Sequence, residues 1–259
     1  MQGISKSIIY SKSLMNHIFH EPARPSLRKW IKLHKEYGNQ SIIRLLEYDN
    51  LLGKEMHGRA IDFGGGQNSR YTKYTNKLKE LNIESINIDS SINPTYQIKS
   101  DLSGINKVPQ NSYDYALCMN TLEHIEEPSL VLKHINTLLK KNGIIYISVP
   151  FMFRIHAHPD DFMRCTPSWW CKVLSRTGYK DIHIWPLVLG RATTAGSLVG
   201  FPKIFGPTIG RHIAFGWDYI YYHLSTLGAD SKRRRDSMKS ISIGWFIEAR
   251  KDIEIEINS

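Results

Sequence analysis

The sequence predicts an α/β domain built on an open, mostly parallel sheet. From Arg59 onward, short apolar runs alternate with amphipathic stretches, the pattern of strands joined by crossover helices. One of those runs leads straight into three consecutive glycines, Gly64, Gly65 and Gly66. Such a strand-to-helix turn lets the backbone approach a ligand closely and offers free amides to an anion. The chain has 259 residues, 41% hydrophobic and 22% charged, which suits one large domain with its own core and excludes wholesale disorder.

Residues 1–58 read as a basic, helical extension. The stretches 26–37 and 40–56 carry apolar residues at i, i+3, i+4 spacing and are separated by Gly38-Asn39. The two prolines of Glu21-Pro22-Ala23-Arg24-Pro25 mark a hinge or arm. Residues 59–185 form the expected core. Its strands are placed at 60–63, 85–88, 96–98, 113–119, 143–149 and 182–185, and its helices at 71–81, 128–141 and 167–177. Residues 186–240 are too long for a turn and too apolar for a free loop, so they are expected to form an inserted lid that serves the substrate or an oligomer. Residues 241–259 then supply a closing strand and tail.

Lys and Arg number 34 against 24 Asp and Glu, a net charge of +10. That excess favours anionic partners, although a Lys- and Asn-rich composition alone would also produce it. The run Lys232-Arg233-Arg234-Arg235 reads as a solvated loop or a phosphate clamp. Three cysteines, Cys118, Cys165 and Cys171, show no CxxC pairing. They argue against a disulfide framework or structural zinc and for a reducing compartment, so a cytoplasmic protein is expected. The first residues carry no apolar core of about 7–15 residues and no small-residue cleavage site, so no secretory signal is expected. The most apolar region, 186–222, is broken by Arg191, Lys203, Arg211 and Asp218, so no spanning helix is expected. Peripheral contact with a membrane and homo-oligomerisation both stay open.

The glycine turn admits two ligands. A dinucleotide calls for G-x-G-x-x-G, but Ser69 stands at the last position. Asp62, two residues before Gly64, suits a ligand carrying positive charge. Here the sequence resembles the class I S-adenosylmethionine-dependent methyltransferases, in particular their type-11-like domains. Their first motif is an acidic residue, an apolar residue and G-x-G-x-G. It stands here as Asp62-Phe63-Gly64-Gly65-Gly66-Gln67-Asn68, with Asn68 replacing the third glycine. Asn tolerates the left-handed conformation best among non-glycine residues. The resemblance continues through Asn87-Ile88-Asp89-Ser90, Ser100-Asp101-Leu102, the segment Tyr113–Pro128 with its Leu122-Glu123-His124-Ile125 turn, Gly143–Pro150 and Gly244–Lys251.

The resemblance implies a Rossmann-like class I methyltransferase fold, with a seven-stranded, mostly parallel sheet and an antiparallel last strand. It also implies S-adenosyl-L-methionine as cofactor, held by Asp62, Gly64, Gly65, Gly66, Asp89, Ser90, Asp101, Leu102, Asn120 and Glu123. Asp89 would take the ribose hydroxyls. Read without the resemblance, it would cap a turn.

Two segments could carry chemistry. Asn120, Glu123 and His124 follow the fourth strand, and His124 is read as packing or lining the cofactor. After the fifth strand, Pro150–Pro167 gathers His156, His158, Asp160, Asp161 and Arg164. A histidine oriented by a carboxylate can deprotonate a hydroxyl, so His156 or His158, with Asp161, is the candidate base. In the competing reading Asp161 pairs with Arg164 to fix the loop. No metal is assigned, because no ligand set closes in sequence alone.

The segment also resembles methyltransferases of bacterial surface-polysaccharide biosynthesis and secondary-metabolite pathways. The resemblance implies O-methylation of a sugar, glycan or small-metabolite hydroxyl by in-line methyl transfer, and the basic charge favours an anionic acceptor. The Asn/Asp-Pro-Pro-aromatic motif of amino-methylating nucleic-acid enzymes is missing at Met119-Asn120-Thr121-Leu122. An RNA methyltransferase and a non-catalytic scaffold are the alternatives. Trp169, Trp170, Trp217, Tyr219, Tyr221 and Tyr222 are read as core or as a stacking platform.

Overall fold

The computed structural model describes residues 19–65, 81–99, 102, 104–156, 160–201, 206–225 and 236–252. Among them, α1 (Leu27–Tyr37) begins where the Ser26 hydroxyl accepts the Lys29 N–H at 3.3 Å and ends at Gly38, with φ of 68°. Trp30, Leu33 and Tyr37 line its buried side. α2 (Ile42–Leu52) buries seven of its residues, including Glu47.

The strands are β1 (Gly58–Phe63), β2 (Leu81–Asn87), β3 (Tyr96–Gln97), β4 (Tyr113–Met119), β5 (Leu139–Pro150), β6 (Tyr179–Leu187) and β7 (Gly244–Lys251). They form one sheet in the order β3-β2-β1-β4-β5-β7-β6. β1 pairs in parallel with β2 and β4, while β7 runs antiparallel between β5 and β6. Strand order reverses between β1 and β4, and in an open α/β sheet ligands bind beyond the carboxyl ends at such a point.

Side-chain alternation divides the core into two layers. Ala116 and Cys118 of β4, Ile145 and Ile147 of β5, and Trp245 and Ile247 of β7 face α3 (Pro128–Leu138) and α4 (Pro167–Arg176). Leu117, Met119, Tyr146 and Phe246 face the opposite layer, built from α1, α2 and Phe215. The N-terminal helices therefore complete the sheet's second layer, burying Leu33, Leu45, Tyr48 and Leu51 completely.

Several boundaries differ from the sequence expectation. β2 begins at Leu81, four residues before the expected 85, because Gly58 pairs with Leu81 and carries the ladder back. The helix expected over 128–141 stops at Leu138: Leu139 is extended and pairs with Tyr113. β6 extends to Leu187 through its ladder with β7, which starts at Gly244 rather than 241. Of the helix expected over 71–81, residues 71–80 lie outside the described residues and Leu81 is extended as the first residue of β2; the basic run 232–235 also lies outside them.

After β6, the chain leaves the sheet's carboxyl edge as α5 (Arg191–Val199) and α6 (Gly206–Ser225). The buried Asp218 carboxylate joins them, accepting the N–H groups of Ala192 at 2.7 Å and Thr193 at 2.8 Å, and the Thr193 hydroxyl at 2.6 Å. An anion at a helix N-terminus satisfies donors that the helix cannot. α6 packs on α1 through Trp30 and Phe215, whose rings stack at 4.4 Å. The Trp30 Nε1–H also donates to His212 Nδ1 at 2.9 Å. Ile209, Ile213, Trp217, Ile220 and Leu224 stand exposed on α6, whereas its charged residues Arg211 and Asp218 are buried. Trp170 belongs to the core, while Trp217 and Tyr221 lie on the surface.

No helix among the described residues is long and apolar enough to cross a membrane.

Candidate active site

The glycine turn closes directly on β1. Gly64 takes a φ of 91°, and its N–H donates to the Ile86 carbonyl at 2.9 Å. A Cβ there would strike the Thr121 side chain, and one at Gly65 would overlap the Asp62 carboxylate. Both positions thus need glycine for space, and Gly64 needs it for conformation as well. Asp62 is 2% exposed, placing its carboxylate beneath the turn.

Asn87, which sequence reasoning passed over, ties this turn to the end of β2. Its Nδ2–H donates to the Gly64 and Gly65 carbonyls at 2.6 and 3.2 Å. Its Oδ1 accepts the Asp89 N–H at 3.0 Å. The sequence signal was an amide side chain closing the strand two residues before Asp89. Asp89 is exposed, and its Oδ1 accepts the Ser91 N–H at 2.8 Å, capping the 3-10 turn Ser90–Ile92. Asp89 thus fills the turn-capping role weighed for it in the sequence. Ser90 starts that turn, and Leu102, at φ 64°, packs against the core. Gly66 and Asp101 lie outside the described residues.

Asn120, at the carboxyl end of β4, has a φ of 52° and donates its N–H to the Ser148 carbonyl at 2.7 Å. Its side-chain amide donates to Glu47 Oε2, which also accepts the Ser148 hydroxyl at 3.0 Å. Arg44 pairs with Glu47 Oε1 at 3.1 Å. Glu47 was likewise missed in the sequence; its signal was an acid among the apolar residues of Ile42–Leu52.

Glu123 follows in the 3-10 turn Leu122–His124. It is 1% exposed, and among the described residues neither carboxyl oxygen has a hydrogen-bond partner. Burial pushes its carboxyl up to about 8. The Phe162 N–H donates to the Glu123 carbonyl at 2.7 Å, seating the segment after β5 against the turn after β4.

That contact brings two of the candidate catalytic residues, His156 and Asp161, beside Glu123; His158 lies outside the described residues. His156 Nε2 is 3.8 Å from Glu123 Oε1, and Nδ1 is 3.4 Å from Asp161 Oδ2. Nδ1 also faces the Arg154 carbonyl at 3.3 Å. Arg164 Nη2, a donor only, lies 3.4 Å from the same nitrogen, so Nδ1 meets two oxygen acceptors and one donor. The two oxygens favour a proton on Nδ1 of the neutral ring, which leaves the lone pair on Nε2. Burial lowers the His156 pKa below the ordinary imidazole value. Arg164 binds both Asp161 oxygens, Nη2 to Oδ2 at 2.6 Å, and holds that carboxyl down at about 2. Asp161 therefore joins the two roles weighed from sequence: it pairs with Arg164 and also faces His156, whose backbone N–H it accepts at 2.9 Å.

The β1–β4 switch point, a glycine turn with no room for side chains and a buried acid beneath it define a nucleoside-binding α/β enzyme. The family model described as a methyltransferase domain matches residues 32–183, more than half of the chain, and the protein belongs to that family. It is a methyltransferase whose cofactor is S-adenosylmethionine. The described residues fit that cofactor: the cradle at Gly64 and Gly65 would be filled by any Cβ, and Asp62 and Asp89 supply carboxylates at adjacent strand ends.

Solved structures agree in fold. A SAM-dependent methyltransferase from Archaeoglobus fulgidus is 13% identical with a TM-score of 0.53, over 86% of this chain and 99% of that one. A SAM-dependent methyltransferase from Thermotoga maritima is 12% identical at 0.50, over 87% and 94%. The CurJ carbon methyltransferase is 12% identical at 0.50, over 86% and 58%. The comparison with curated proteins yields no match.

Proposed function

We propose that the protein methylates a hydroxyl group of a sugar, glycan or small metabolite, with His156 as general base. The observation that supports this reading most directly is the imidazole of His156, held at the carboxyl edge with Nδ1 against oxygen acceptors and a lowered pKa. A neutral imidazole near its working pH can take the hydroxyl proton as the oxygen becomes a nucleophile. The bound cofactor supplies an electrophilic methyl group on a sulfonium. Asp161 orients the ring and stabilises the imidazolium, and Arg164 keeps Asp161 ionised. The Phe153 ring meets that of His156 edge-on at 5.5 Å, and the exposed Ile155 is its chain neighbour, so both offer apolar contact to an acceptor.

The test is transfer of a carbon-13 methyl group from labelled S-adenosylmethionine to a panel of hydroxyl-bearing and amine-bearing acceptors. An O-methyl resonance, with kcat reduced about 100-fold or more in His156→Ala and KM little changed, supports the reading. Exclusive N- or C-methylation, or an undiminished kcat in the variant, overturns it.

A further inference from the structure

Three side chains converge in a way that methyl transfer alone does not require. Glu123 keeps a carboxyl at 1% exposure with neither oxygen hydrogen-bonded among the described residues, a costly state for a polar group unless something else satisfies it. His124 Nε2 and His156 Nε2 each lie 3.8 Å from its Oε1. One ligand atom from each of the three falls within 4.8 Å of the other two.

The opposite nitrogens are fixed by oxygen. His124 Nδ1 meets the Asp160 carbonyl, and His156 Nδ1 meets the Arg154 carbonyl at 3.3 Å and Asp161 at 3.4 Å, with Arg164 Nη2 also 3.4 Å away. Protons therefore sit on both Nδ1 atoms, and both Nε2 lone pairs turn toward the buried carboxyl. Metal-ligating histidines are held in this manner, each donating its other N–H to a carbonyl or carboxylate.

We propose that Glu123, His124 and His156 bind a divalent transition-metal ion. Two imidazoles and one carboxylate match the Zn2+, Co2+ and Fe2+ class rather than Mg2+ or Ca2+, which favour all-oxygen shells. A tetrahedral ion with bonds of about 2.1 Å sets its ligand atoms about 3.4 Å apart, so the present spacing closes with small side-chain shifts. His156, 38% exposed at its side chain, has room to make them. The ion satisfies the Glu123 carboxylate directly. It also takes the Nε2 lone pair assigned above to proton abstraction, so a bound ion and a free base exclude each other at that atom. The site stands whether or not the acceptor is a hydroxyl.

The experiment is titration of the chelator-stripped full chain with Co2+, followed by visible d–d absorption, with Zn2+ competition and calorimetry. One ion per chain is expected. Glu123→Gln, His124→Ala and His156→Ala should each weaken it at least about tenfold, while His183→Ala, in the separate His20–His183 pair, should not. In the wild type, which avoids any question of folding, Zn2+ should shift two histidine ring-proton resonances, those of His124 and His156. No binding by the stripped wild type overturns the proposal. So does affinity unchanged by the three substitutions, or shifts confined to other histidines. Metal binding is read without turnover, so its failure and that of the O-methylation reading are distinguishable.

Discussion

Glu47, midway along α2, accepts a hydrogen bond from the Asn120 side chain at the carboxyl end of β4. The helix before the sheet thereby holds the strand end that borders the cofactor cradle. The same carboxylate takes the Ser148 hydroxyl at 3.0 Å and pairs with Arg44. Removing one partner of such a buried network leaves the rest unpaired. Glu47→Ala should cost about 3 kcal/mol of unfolding free energy, measured by urea denaturation, and should weaken S-adenosylhomocysteine binding. Glu47→Gln, which keeps one acceptor, should lose less in both.

Asn87 and Asp89 act on the cofactor in different ways. Asn87→Ala should free the Gly64 and Gly65 carbonyls and loosen the turn. Asp89→Ala should remove the carboxylate offered to the ribose. Calorimetric titration with S-adenosylhomocysteine, using NAD as a control ligand, should show each variant weakened at least tenfold, about 1.4 kcal/mol. Unchanged affinity in Asp89→Ala would assign that side chain to its turn alone.

Gly65→Ala tests the space in the cradle. The new methyl would overlap the Asp62 carboxylate, so the turn must move. Loss of detectable cofactor binding is expected, with a lowered Tm; wild-type affinity would show that the turn has slack.

His20 provides a pH test away from the active site. Its ring stacks on Trp185 at 4.2 Å, and its Nε2 meets His183 Nδ1 at 3.0 Å. Burial lowers its pKa, followed by the charges of His183 and Lys54; Lys239 adds to the effect and Glu248 opposes it. The folded chain thus resists a proton that the unfolded chain accepts near pH about 6.5. Stability from this group is full above about 6.5 and declines as pH falls from there through the lowered folded value. His20→Gln should flatten that part of the Tm profile. A parallel profile would remove His20 as its source.

The sheet was legible in the sequence because its central strands carry local signals. Tyr113–Met119 was bounded correctly as a strand, since it is apolar but for Asp114 and closed by the Asn120 turn. The ends of β2, β5 and β6 were not, because strand length there follows a neighbour's backbone: Leu81 is in β2 through its pairing with Gly58.

The amino-acid order alone determined the glycine turn, the acid before it, the run of family motifs and hence the α/β methyltransferase fold. Those signals depend on neighbours a few residues away. Tertiary structure alone decided that Glu47 reaches Asn120 across 73 positions, that Asn87 clamps the glycine turn from 22 or 23 positions away, and that His156 meets Glu123. Such contacts are set by which strands lie side by side and how far each helix projects. No local periodicity records that information, and the site here joins segments that lie far apart in the chain.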